Sequence, residues 1–227
     1  MALSVYFASA LFSSRETIFN YELARRLEAQ GYRVWLPQRD GFEFSDLREA
    51  LAKRVSGAEL AEAVNAIIYT LDMGVFLPSS NVVVAVLDEP LDEGLLIEIA
   101  YARRLGLPVI GVRTDSRTPF GNNDDPLGGI HFFAAFQCTD FVTTRPARTP
   151  QALDDLAHLV GERVRSSEPT EGASPEPALA TATAQLFGDF KPERESVHSD
   201  AVLARVVGNF LEHRELLRRL TPKLVPL

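Results

Sequence analysis

Short apolar runs alternate with longer segments that carry apolar residues at helical spacing along the first two thirds of the chain. Residues 3–8 (LSVYFA) have the length and character of a first strand, and 9–14 read as a turn. Over 15–30, Phe19, Leu23 and Leu27 recur every four residues, which predicts a helix with one buried face, stopped by Gly31. Residues 32–36 predict a second strand, ended by Pro37, and 38–44 a polar and aromatic loop. Two helices follow, over 45–55 and 57–77, the second long and largely apolar. A third strand, 81–87 (NVVVAVL), precedes a helix over 92–105 that opens on Asp92, a residue able to accept the free N–H groups of a first turn, and closes on Gly106. Residues 107–113 predict a fourth strand, 114–129 a loop rich in Asn, Asp, Gly and Pro, 140–144 a short fifth strand and 150–164 a closing helix. Residues 130–137 fit either period.

Strands alternating with helices predict an α/β fold: a flavodoxin- or Rossmann-like parallel five-stranded sheet with helices on both faces. Ligands of such sheets sit beyond the carboxyl ends of the strands. Those ends are polar here: Ser9 after strand one, Gln38 to Asp40 after strand two, Asp88, Glu89 and Asp92 after strand three, Arg113 to Asp115 after strand four. They could converge on one pocket. After residue 165 the composition changes to SSEPTEGASPEP, too polar and proline-rich to build a core, so 166–190 reads as a linker, partly disordered or holding a short helix. Residues 191–227 read as a helical extension. Within it, 199–220 is amphipathic, with Val202, Val206, Phe210, Leu217 and Leu220 on or near one face. A lone helix of that length is marginal in water, so it is expected to dock on its own domain or on a neighbouring subunit.

Composition narrows the function classes. Of 227 residues 46% are hydrophobic, enough for a real core, and the net charge of −8 argues against nucleic acid or an anionic membrane as partner. The single cysteine, Cys138, excludes an internal disulfide and fits a reducing compartment. The start, MALSVYFASALF, has neither the basic nor the long apolar region of a signal peptide. A cytoplasmic location is the expectation.

No glycine-rich phosphate loop follows the first strand, the four histidines are scattered, and no GxSxG turn is present. No metal and no cofactor is therefore expected. What remains is a set of carboxylates. Glu98 stands in an apolar helical segment, LDEGLLIEIAYARRL, where its neighbours three, four and seven positions away are Leu91, Gly94, Leu95, Tyr101, Ala102 and Leu105. A carboxylate left charged and unpaired there costs several kcal/mol. Glu98 is thus neutral, paired with a donor, or kept for chemistry. Asp92 lies six residues earlier, roughly 9 Å along a helix axis at about 1.5 Å per residue, and is either a plain cap or a second reacting group. Asp72, lodged in AIIYTLDMGVFL, is either a polar residue at a bend or a functional one. Tyr6 is either a core aromatic or the donor to a buried carboxylate. Together they point to acid/base or covalent chemistry at a carboxylate.

Three pieces of the sequence, VYFASALF, LPQRD and DEGLLIEIAYARRLGLPVIGVRTD, resemble the nucleoside 2-deoxyribosyltransferase family over about residues 3–144. The family pattern of an acidic residue, a glycine and a glutamate before an aromatic falls here on Asp92, Gly94 and Glu98 to Ala102. The resemblance implies that 1–165 is the catalytic domain and that Glu98 is the nucleophile on C1′ of 2-deoxyribose, forming a glycosyl ester. It further implies that Tyr6 orients Glu98, that Asp92 is acid and base on the nucleobase, that Asp72 assists and that Gln38 contacts the base. Ser9, Phe12 and Gly94 fall among the substrate-binding positions. A segment given by a neighbouring subunit would close the site. In this sequence that segment is residues 130–133, with His131 in place of the family's asparagine; a satisfied, partly buried histidine is the other reading of His131. The implied substrates are nucleosides and free nucleobases, and the implied assembly is at least a homodimer. A related branch that hydrolyses nucleoside 5′-monophosphates carries serine where Asp92 stands; an aspartate would repel phosphate there. Base exchange is accordingly the first reading. Hydrolysis of an N-glycoside, with water as acceptor, is the second. A nucleotide-sensing module without turnover is the third and ranks last, because Glu98 and Tyr6 are both present.

Overall fold

The computed structural model describes residues 2–117, 125, 127, 129–215 and 220. In chain order the elements are β1 (Ser4–Ala8), α1 (Ser14–Ala29), β2 (Arg33–Trp35), α2 (Pro37–Asp40), α3 (Phe44–Ala52) and α4 (Ala58–Leu71), which runs into a π-helical turn (Asp72–Phe76). There follow β3 (Val82–Val86), α5 (Glu93–Arg104), β4 (Val109–Arg113), α6 (Phe132–Ala135), β5 (Asp140–Thr143), α7 (Pro150–Ser166), α8 (Pro177–Leu186) and α9 (Asp200–Glu212). The chain gathers into two compact units, Met1–Leu36 with Leu77–Ala173, and Pro37–Phe76 with Ser174–Leu227.

The first unit holds the sheet. All five strands are parallel, in the order β2-β1-β3-β4-β5, with Tyr6 opposite both Trp35 and Val83. The order reverses between β1 and β3, the crevice where parallel sheets of this kind take ligands. Side chains alternate along β1, so Val5 and Phe7 join one apolar core with Val82, Val84, Ile110 and Val112, covered by Leu23 and Leu27 of α1 and Leu156 and Val160 of α7. Tyr6 leaves by the opposite face, towards α5. Helix ends follow local chemistry. Ser13 and Glu16 form a reciprocal capping box on α1. Thr149 caps α7, with Pro150 at its first position. Gly106 ends α5 at a φ of 80°, a conformation that side chains disfavour. The polar stretch after α7 is irregular yet tied down: the Thr170 and Ala173 N–H groups donate to the carbonyls of Gly106 and Arg104 at 2.9 and 2.8 Å.

The second unit is helical. The run 57–77, read as one helix, is α4 followed by the π-helical turn. Both carry buried apolar residues (Ile67 and Leu71 in α4, Met73, Val75 and Phe76 in the turn), so apolar content does not separate them. The extension docks on its own unit: α8 packs on α4 and the π turn, and α9 on α3. Ser199 caps α9 and Val202, Val206 and Phe210 are its buried face. Helix α9 ends at Glu212; residues 214, 215 and 220 are again helical, and Leu217 lies outside the described residues.

Candidate active site

The crossover from β3 to β4 lays α5 along the sheet face that α1 and α7 leave uncovered. Asp92 starts the helix: its Oδ2 accepts from the Leu95 N–H at 2.7 Å. Leu95, Ile99 and Ala102 are the buried face of α5. Glu98 lies among them, one turn from Leu95 and from Ala102, and is therefore carried against the middle of the sheet. There the Tyr6 hydroxyl donates to Glu98 Oε1 at 2.7 Å. Tyr6 is wholly buried, while Glu98 keeps part of its surface open. Burial is the dominant influence on the Glu98 carboxyl and pushes its pKa up to about 7; the Tyr6 hydrogen bond pulls it down and the Asp92 charge adds to the rise. Such a group is divided between its protonated and ionised forms near neutrality. It can attack as an anion while staying poorly solvated.

The remaining predicted residues are spread over both units. Gly94 is the second residue of α5, and a Cβ there would come within 3.0 Å of Asp92 Oδ2, so its lack of a side chain leaves room beside the Asp92 carboxyl. Ser9 directly follows β1. Phe12 lies in the next turn with 79% of its surface exposed. His131 caps α6, its Nδ1 accepting from the Phe133 N–H at 3.2 Å and its ring stacked on Phe132. Gln38 and Asp72 belong to the second unit. Gln38 is in the single turn α2, and Asp72, half-buried, is the first residue of the π turn. Within the first unit the fold brings Tyr6, Glu98 and Asp92 together.

A cavity of about 530 Å³ opens where the carboxyl ends of β1, β3 and β4 converge, lined by Ser9, Asn20, Asp88, Glu89, Thr114 and Asp115 among others. It lies on the α1 side, so Glu98 and Tyr6 do not line it. Two groups that shape these strand ends were visible in the sequence only as polar residues. Asp88 accepts from the Thr114 N–H, the Thr114 hydroxyl and the Asp115 N–H at 2.7, 2.6 and 2.9 Å, which ties the end of β3 to that of β4. Arg113 is wholly buried and donates to the carbonyls of Leu87, at 2.6 Å, and Arg117. An arginine closing the apolar run VIGVR was its signal. Burial works against the charge of Asp115, but hydrogen bonds from the Arg117 side chain and backbone and from the Glu89 N–H outweigh it and hold the carboxyl at about 2.

A single five-stranded parallel sheet with helices on both faces defines the class, an α/β protein, and a desolvated glutamate on a tyrosine hydroxyl is its candidate site. The sequence profile of the nucleoside 2-deoxyribosyltransferase family matches residues 5–142, from β1 into β5, and the chain belongs to that family. No curated protein matches the chain. Membership carries nucleoside deoxyribosyltransferase-type activity in general terms, and nucleosides and nucleobases as the substrate class. Helices α7, α8 and α9 lie beyond the matched span. Among the described residues no helix is long and apolar enough to cross a membrane.

Proposed function

We propose that the protein transfers 2-deoxyribose between nucleobases by a retaining double displacement through a glycosyl ester on Glu98. The observation that carries this reading is the 2.7 Å hydrogen bond from Tyr6 to a glutamate whose surroundings push its pKa to about 7. In the first displacement a Glu98 oxygen bonds to C1′ as the C1′–N bond to the base breaks, and Asp92 gives a proton to the departing base. In the second, a nitrogen of the incoming base bonds to C1′, the ester C–O bond breaks, and Asp92 takes the proton that base loses. Two inversions leave the configuration unchanged, as in retaining glycosidases. Tyr6 orients the attacking carboxylate and stabilises its ionised form. Gln38 contacts the base and Asp72 assists, the roles that the family resemblance gives them. Ser9, Phe12 and Gly94 belong to the substrate-binding positions. His131 and the aromatics after it complete the site of a neighbouring copy in a homo-oligomer. In support, Phe132, Phe133 and Phe136 are 48, 67 and 66% exposed, an unusual outlay of aromatic surface for four consecutive helical positions and their cap.

The test is a base-exchange assay. The protein is incubated with 2′-deoxyinosine or thymidine, with and without free adenine or cytosine, beside Glu98→Ala. New deoxynucleoside that requires the added base and is absent from the variant is the expected result. Base release at one rate with or without acceptor would make water the acceptor and the protein a hydrolase. Lack of turnover over several bases and sugars would end both enzyme readings.

A further inference from the structure

We propose that the C-terminal extension is a positioning element for base recognition: His198 holds the turn α2, which carries Gln38, through the backbone carbonyl of Arg39. The inference rests on the transferase reading for the role of Gln38. It concerns residues beyond the family span, and every residue it uses lies in the second unit.

Helix α2 is four residues long, a single turn closed by the Gly41 N–H on the Pro37 carbonyl at 2.9 Å. One turn is too short to hold its shape unaided. The His198 ring sits against it, with Nε2 2.7 Å from the carbonyl oxygen of Arg39, the residue after Gln38. A carbonyl only accepts, so Nε2 is the donor. The histidine is itself held in place. Val197 beside it is buried, and Arg205 of α9 takes both oxygens of Glu195 at 3.0 to 3.2 Å. Helix α9 packs on α3, which follows α2 after three residues, and Asn209 donates to the Leu186 carbonyl at 2.9 Å to join α9 to α8. Helix α8 meets the other second-unit site segment. A Cβ on Gly74, two residues after Asp72, would stand 1.9 Å from Thr183 Oγ1, so α8 packs directly on the π turn. The extension thus touches both places where the second unit carries a site residue, and at α2 the contact is a directional hydrogen bond from an exposed side chain. Stability alone gains little from such a bond; fixing the backbone beside Gln38 is what it accomplishes.

The experiment compares the full-length protein with His198→Ala and with His198→Gln, whose amide can still donate. Because His198 is exposed, both variants keep the packed core of the unit. Base exchange is measured with saturating nucleoside and varied acceptor base, and deuterium uptake is followed over residues 37–41. His198→Ala is expected to raise the KM for acceptor base about three- to tenfold, with kcat at saturating base within about twofold, and to speed uptake over 37–41 by a similar factor. His198→Gln is expected to restore both. Unchanged KM and unchanged uptake in His198→Ala would overturn the proposal, as would a fall in kcat with KM unmoved. A difference in uptake without base exchange in the unaltered protein would instead refute the transferase reading, and the recognition role with it, leaving a contact that is only structural.

Discussion

The two faces of the sheet are built from the same strands and do different work. Val5, Tyr6 and Phe7 are adjacent in β1 and all are wholly buried. Val5 and Phe7 enter a core made of aliphatic and aromatic side chains between the sheet and α1 and α7. Tyr6 enters the opposite face and meets a carboxyl group. Burial therefore does not mark the site; the chemistry of what is buried does. Confining the misfit to one face lets the other stabilise the sheet without compromise, and places the glutamate on a rigid support.

That contrast can be tested at its strongest point first. Glu98→Ala should abolish base exchange, with a loss of at least about a thousandfold, because it removes the carboxylate on which the proposed ester forms. The measurement is turnover by chromatography, and residual activity within tenfold of the unaltered protein would remove Glu98 from the nucleophile role. On the other face Phe7→Ala should cost about 3–5 kcal/mol of stability, read from urea unfolding, because it empties a packed position in the core. A cost under about 1 kcal/mol would show that the α1 and α7 face is not the main stabilising one.

A smaller effect comes from the charge itself. The Glu98 carboxyl has a pKa of about 7 in the folded protein against an ordinary 4.5. The folded state thus holds that proton more tightly than the unfolded chain. The stability this contributes is complete below about pH 4.5 and is lost as the pH rises through 7. Glu98→Gln does not titrate, so it should be more stable than the unaltered protein at pH 8, by up to about 3 kcal/mol at roughly 1.4 kcal/mol per tenfold change in acidity, and the advantage should vanish towards pH 4. An advantage that stays constant from pH 4 to 8 would mean the carboxyl is not desolvated.

Much of this contrast could be read from the sequence, and the part that could not has a physical reason. The apolar neighbours of Glu98 identified the misfit, and Asp92 was recognisable as a helix start. The partnership of Tyr6 with Glu98 spans 92 positions, and only the sheet register decides which strand residue reaches the helix. Residue pattern named Tyr6 as a candidate donor; pairing of β1 with β3 made it the donor. Arg113 read as a polar strand end and is in fact wholly buried, because its charge is met by backbone carbonyls, which leave no trace in sequence. The amphipathic pattern after residue 199 announced a docking face but not its target. Its contacts with α3 lie some 150 positions away, beyond any local period.

The last test bears on the hydrogen bond that joins the two readings of the site face. Tyr6→Phe keeps the ring and its packing and removes only the hydroxyl, so stability should change by no more than about 1.5 kcal/mol. The bond from Tyr6 lowers the pKa of Glu98, since a donor favours the ionised carboxylate. Without it the pKa must rise above about 7. Activity that depends on ionised Glu98 falls on the acid side of that pKa, so the acid limb of kcat/KM should move to higher pH in the variant. The loss should accordingly be larger at pH 6, of the order of tenfold, than at pH 8.5, where the carboxyl of both proteins is largely ionised. A uniform loss at all pH values would assign Tyr6 to shape alone, and a limb that moves to lower pH would mean that the hydroxyl favours the protonated acid. Only the upward shift joins the tyrosine to the charge on Glu98, and so distinguishes a face built for chemistry from one that merely tolerates a buried glutamate.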